Sequence, residues 1–317
     1  MALKIDNLIV HTVATETIMQ HIEMFQTGTN GAITLGTEMI AGDMLETSML
    51  SEIASLIGRR DITSSSAATV KTVDSRDENS IKVYWSTGAI EFKVVDAKRY
   101  GADAGAFSAA IGEQIGKGII QYALNAGITA VRASIETVPT LVTGDATANI
   151  TASLLNSSLK PFGDASNSIV AFVMNGAVYN DLVGDAISSG GADVAYGAIY
   201  TGTTGSLGRP VYVTDSTGLA ITVGANTGVA VLGLTKDAVK IVESEAREFI
   251  SELVSGGENI KYRIQAEGSY LVDVKGYSWK KASGANPTLV ALGTKANWEQ
   301  KATSVKSTAG VILAVAE

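Results

Sequence analysis

Residues 103–136 read DAGAFSAAIGEQIGKGIIQYALNAGITAVRASIE. Phe107, Ile111, Ile115, Ile119, Tyr122 and Ala126 recur at intervals of 4, 4, 4, 3 and 4, which lays one apolar stripe along a helix. At 1.5 Å per residue the stretch predicts a rod of roughly 50 Å. Gly112, Gly116, Gly118 and Gly127 lie inside it, and each weakens a helix by about 1 kcal/mol relative to Ala. A helix that keeps four of them is expected to have other backbone passing close by. Pro139 ends the rod, because proline lacks an N–H and clashes with the preceding turn.

Upstream, the first fifty residues hold five of the seven methionines by Met44 and a sixth at Met49, between Gly-Thr pairs. Apolar residues there occur singly, with no sustained helical or strand period. Residues 1–50 therefore read as an arm that borrows its packing, either from its own chain or from a neighbouring subunit. Residues 46–57 carry a helical pattern (Met49, Leu50, Ile53, Leu56, Ile57) that stops at Gly58-Arg59-Arg60-Asp61. Strand signals at 67–73 and 81–85 flank a charged tip at 74–79, and a further strand is expected at 90–95. A hairpin with so little apolar surface is rarely stable alone in water, so something must cover it.

Downstream, residues 140–167 are rich in Thr, Asn and Ser. Residues 169–174 then read as a buried strand, and 177–187 as a helix with Val178, Leu182, Val183 and Ala186 inward. A glycine-rich loop over 188–208 leads to "GRPVYVTDS" (208–216) and to short strands at 219–223 and 229–234. Strands are expected in the C-terminal region at 238–242, 260–267, 270–274, 288–292 and 310–315.

The 317 residues are 46% hydrophobic and 18% charged, which places the chain among globular proteins. Lys and Arg total 24 against 32 Asp and Glu, a net charge of −8. That balance is poorly suited to gripping nucleic acid, where affinity comes from cations displacing counterions from phosphate. The basic residues neither cluster nor alternate with aromatics. The lack of cysteine excludes disulfides, thiolate catalysis and zinc–thiolate sites. The amino terminus lacks a signal-peptide pattern and no apolar run reaches the roughly 18 residues of a membrane span, so a soluble protein made in the cytoplasm is expected.

The usual reagents of an enzyme are missing. The only histidines, His11 and His21, lie in the unpatterned arm, without HExxH or carboxylate-paired spacing. Gly112-x-x-x-Gly116-Lys117-Gly118 has the wrong spacing for a phosphate loop and lies within a helix, and Gly202, Gly205 and Gly208 miss the dinucleotide spacing. Glu245 and Glu248 could share a helix face, but so could Arg247, and they read as solvated surface. Asp215 follows a short apolar strand, where an α/β enzyme can place a working carboxylate; an aspartate at such a place also caps turns. No catalytic, cofactor-binding or metal-ligating residue is assigned, and no cofactor is expected.

The order of arm, hairpin, long helix, inserted α/β unit and returning sheet resembles the major capsid proteins of tailed phages, the coat fold named for phage Hong Kong ninety-seven. "GRPVYVTDS" is similar to a Gly-x-Pro-Val-x-Val-x-Asp segment of one subgroup's axial domain, and "SIVAFVMNGAVYNDLV" (168–183) to its strand and following helix. "GYSW" (276–279), "NPT" (286–288) and "NWE" (297–299) resemble its C-terminal landmarks. The resemblance implies an α+β coat fold: N-terminal arm (1–50), helix and extended loop (51–100), peripheral domain with spine helix (101–148 and 236–317) and axial domain (149–235). It implies self-assembly into pentamers and hexamers of an icosahedral head around double-stranded DNA, without sequence-specific binding. It also implies a portal, and scaffold or decoration proteins, as partners, and Asp215 as a capping residue. The family's lysine–asparagine crosslink has no matching pair here. An encapsulin-like compartment shell is the alternative within this fold; a surface-layer protein or adhesin and an enzyme are the readings outside it.

Overall fold

The computed structural model describes residues 6–50, 75–99, 104–188 and 208–316, with single positions between 57 and 72. From the amino terminus come α1 (Asn7–Gly28), β1 (Ile33–Thr37), β2 (Met44–Leu50), β3 (Ser75–Ser86), β4 (Ile90–Lys93), α2 (Val94–Arg99) and α3 (Ala104–Ile135). The helix α1 occupies a region whose sequence shows no sustained period. Asp6 starts it by accepting the Leu8 N–H on Oδ1 at 2.9 Å, and it ends where Asn30 (φ 50°) and Gly31 (φ 74°) take left-handed backbone. Its inward residues Val10, Ala14, Ile18 and Phe25 are buried.

α1 runs parallel to α3 at close range. The Asp6 N–H donates to Ser108 Oγ at 3.1 Å. A Cβ on Gly112 would lie 2.6 Å from the Val10 carbonyl oxygen, and one on Gly116 would lie 2.9 Å from that of Ala14. The backbone expected near the spine-helix glycines is therefore that of the chain's own amino-terminal helix. Of the other two, Gly127 makes room for Ile241, whereas Gly118 faces open space. Between the two readings of the arm, residues 7–28 pack on their own chain.

The segment after α1 differs from its local pattern. The helix expected over 46–57 is replaced by β2 over 44–50, and residues 51–56 lie outside those described. β2 runs antiparallel to β3, with Leu50 opposite Ser75 and Met44 opposite Ile81. The charged residues 75–79 are thus strand rather than tip, and the strand expected at 67–73 falls largely outside the described residues. A two-stranded ribbon wets both faces, so a Ser48–Asp77 hydrogen bond (2.7 Å) serves where apolar alternation is missing. The strand expected at 90–95 stops at Lys93, where α2 begins.

Next come β5 (Val142–Thr143), α4 (Ala152–Ser158), β6 (Ile169–Met174), α5 (Gly176–Ser188), β7 (Val211–Val213), β8 (Ala220–Val223) and β9 (Asn226–Thr235). The carboxyl-terminal part holds β10 (Val239–Glu243), β11 (Glu248–Val254), β12 (Lys261–Val274), β13 (Tyr277–Trp279), α6 (Leu289–Leu292), β14 (Trp298–Gln300) and β15 (Gly310–Val315). The strands expected at 260–267 and 270–274 are one, β12. The strand expected at 288–292 is the helical turn α6, because Thr288 Oγ1 accepts the Ala291 N–H and caps it. Glu248 opens a strand rather than sharing a helix face with Glu245, and Arg247 turns back to pair with Glu243.

Two sheets flank α3. In the first, β12 is the hub: β10 and β11 pair along one edge, β3 and β4 along the other, β1 adds parallel to β10, and β2 adds to β3. The second has the order β5-β15-β9-β6-β7, with β8 also on β9. Residues 310–315, grouped by sequence with the spine helix, thus pair antiparallel with β9 inside this second sheet, Ile312 opposite Leu232. Residues 126–131 of α3 are buried without a break, as expected of a helix covered on all sides.

Candidate functional site

The stretch 208–216 is structural at nearly every position. Gly208 turns with φ 75°. Arg209 donates to the carbonyls of Ile169 (2.7 Å) and Ser166 (3.0 Å) and covers the Phe172 ring. β7 then pairs parallel with β6, Val211 opposite Phe172. Asp215 Oδ1 accepts the Gly176 N–H at 3.0 Å, at the first turn of α5, while Asn175 Oδ1 accepts the Val178 N–H at 2.9 Å. Two side chains thus satisfy amides that the helix start leaves open. Asp215 is a cap.

The two histidines do not build a relay. His11 packs edge-on against Phe249, with ring centroids 5.2 Å apart. His21 lines a cleft of about 240 Å³ with Lys117, Gln121, Tyr212 and Asp215, where the aspartate is engaged by α5 and the neighbouring Ser216 hydroxyl accepts the Gly218 N–H. Among the described residues no group of three or more His, Cys, Asp or Glu is placed to hold a metal, and no helix is long and apolar enough to cross a membrane.

Elsewhere the polar groups act as clasps. Arg132, near the end of α3, donates to the carbonyls of Gly218 (2.8 Å) and Gly293 (3.1 Å) and pairs with Glu136. It thereby joins the turn before β8 to the turn after α6. Burial pushes the Glu136 carboxyl above the ordinary range, although Arg132 opposes this. The segments "GYSW", "NPT" and "NWE" converge on one knot. Trp279 and Trp298 face each other across β13 and β14 at 5.2 Å, and their indole N–H groups donate to the carbonyls of Gly284 and Leu292. Asn297 Nδ2 donates to the Ala291 carbonyl at 2.8 Å.

What remains is surface. The β2–β3 ribbon is braced near its base, where the Asn79 N–H donates to Ser278 Oγ and Lys281 pairs with Glu46. Beyond that brace Ile57 is 82% exposed and Ile62 85% exposed, with Val70 also open to solvent. At the other end of β3 lies a groove of about 970 Å³ beside Trp85, bordered by Met39, Ile40, Glu245, Glu248 and Glu267. Lys82, buried beneath, pairs with Glu245 at 3.2 Å. The Tyr84 hydroxyl donates to Asp43 at 2.7 Å, and that bond foremost pushes its pKa up to about 12. Sequence reasoning missed the groove, since its walls come from five separate segments.

The sequence profile described as Gp13-like, Major capsid protein 13-like, matches residues 2–312. No curated protein is significantly similar to the chain. Among solved structures, the cyanophage Pam1 capsid asymmetric unit superposes with a TM-score of 0.52 at 10% identity, covering 74% of this chain and 81% of that one. The Mycobacterium phage Adephagia structure gives 0.52 at 10% identity, covering 91% and 89%. The acidic stable capsid structure of Helicobacter pylori bacteriophage KHP30 gives 0.51 at 9% identity, covering 90% and 88%. At these identities the likenesses show a shared fold.

Proposed function

From the premise that the chain belongs to the Gp13-like family of major capsid proteins, we propose that its copies gather as hexamers and pentamers in the shell. The protein is a structural coat component of an icosahedral phage head, not an enzyme. The family match places it with phage heads rather than with cargo-storing compartments.

In this reading residues 101–148 and 236–317 form the peripheral domain around α3, with its last strand, β15, paired to β9. Residues 149–235 form the axial domain, whose sheet β15 completes. The excursion of the chain between β2 and β3 lies on an adjacent subunit. One observation carries the contact: Ile57, Ile62 and Val70 stand exposed on one excursion of the chain. Covering side chains of that size contributes about 1.5–3 kcal/mol each, and a subunit held by several partners gains further from effective concentration. The shell encloses double-stranded DNA without gripping it, consistent with the net charge of −8. Assembly takes place in the host cytoplasm, with a portal and with scaffold or decoration proteins as further partners.

Electron microscopy of the purified full-length protein tests this reading. Closed polyhedral particles or capsomer rings are expected. A single-copy species persisting at high concentration would overturn it.

A further inference from the structure

Glu248 and Glu267 sit directly opposite one another on β11 and β12. Both are exposed, and neither has an ion-pair partner among the described residues. Four residues along the same pair of strands, Glu252 faces Arg263 and is neutralised by it at 2.9 Å. Like charges directly opposite on a sheet are destabilising, whereas opposite ones stabilise by roughly 0.2–1 kcal/mol. The uncompensated pair is therefore a place where a cation from elsewhere would be favourable. It also borders the groove beside Trp85, whose apolar side includes Met39, 64% exposed. The Trp85 indole packs against Gly268 on the same wall, and its Nε1–H has no partner among the described residues.

The chain carries a segment of matching chemistry. Residues 57–62 read Ile-Gly-Arg-Arg-Asp-Ile, two arginines between isoleucines that are exposed at both ends. They belong to the excursion that leaves β2 at Leu50 and enters β3 at Ser75. The groove lies at the far end of β3, ten residues on, which is about 30 Å at the rise of a strand. Ile57 and Ile62 are exposed and so do not fill the chain's own groove.

We propose that residues 57–62 of a second copy dock in the groove beside Trp85. Arg59 and Arg60 reach the Glu248–Glu267 pair, where a guanidinium fork can hold two carboxylates at once. Ile57 and Ile62 cover Met39 and the rim of Trp85. This assignment rests on the self-assembly reading and names the surface that receives the hairpin.

The test is reciprocal charge reversal in the full-length protein, read by electron microscopy and sedimentation, with circular dichroism and melting as the check on folding. Glu248→Arg with Glu267→Arg is expected to reduce closed particles at least tenfold while the melt stays that of the wild type. Arg59→Glu with Arg60→Glu is expected to do the same. Combining all four substitutions is expected to restore particles. Normal assembly by either folded pair overturns the proposal, and so does a folded fourfold variant that fails to recover. Wild-type protein that forms no particles would instead refute the self-assembly reading.

Discussion

At Asp215 a single carboxylate could belong to either of two kinds of protein. The strand before it would suit an active site, yet its Oδ1 is engaged by the Gly176 N–H at 3.0 Å. A cap of this kind contributes about 1 kcal/mol. Asp215→Ala is therefore expected to lower the unfolding free energy, read by chemical denaturation, by that amount and leave particle formation intact, while Asp215→Asn keeps most of the stability. Loss of particles by a stably folded Asp215→Asn would show a role beyond capping. The role was open in the sequence, because a turn aspartate and a working one occupy the same place after a strand. Only the partner atom separates them.

Among the elements, the crossing of α1 and α3 weighs helix propensity against close packing. Replacing glycine by alanine in a helix gains about 1 kcal/mol. At Gly112 the added Cβ would meet the Val10 carbonyl oxygen at 2.6 Å, and overpacking of this kind costs about 1–3 kcal/mol. Backbone cannot swing aside as a flexible side chain does, so the clash wins. Gly112→Ala is expected to destabilise by about 1 kcal/mol or more, whereas Gly118→Ala, with nothing within 4 Å, is expected to stabilise by up to about 1 kcal/mol. Chemical denaturation of the two variants side by side checks the sign. The glycines were visible in the sequence and the need for a close neighbour followed from them. The neighbour was hidden, because α1 meets α3 with small residues such as Ala14, whose periodicity is faint.

For the whole molecule, the amino-terminal helix is part of the core and not a detachable arm. Val10, Ile18 and Phe25 are each at most 5% exposed, and uncovering them costs about 5 kcal/mol or more, comparable with the stability of an entire domain. A chain starting at Gly31 is expected to be insoluble or unfolded by circular dichroism. A truncated chain that melts like the full-length protein would return residues 7–28 to the status of an arm. The sequence alone determined the long helix, the strand at 169–174 and its following helix, and the family, since a stripe at helical spacing and a run of buried β-formers are set by local side chains. Tertiary structure alone decided that residues 44–50 form a strand, that the last strand joins the second sheet, and that Glu248 stands opposite Glu267. Those outcomes depend on which backbone supplies the missing hydrogen-bond partners, and partners distant along the chain leave no local period.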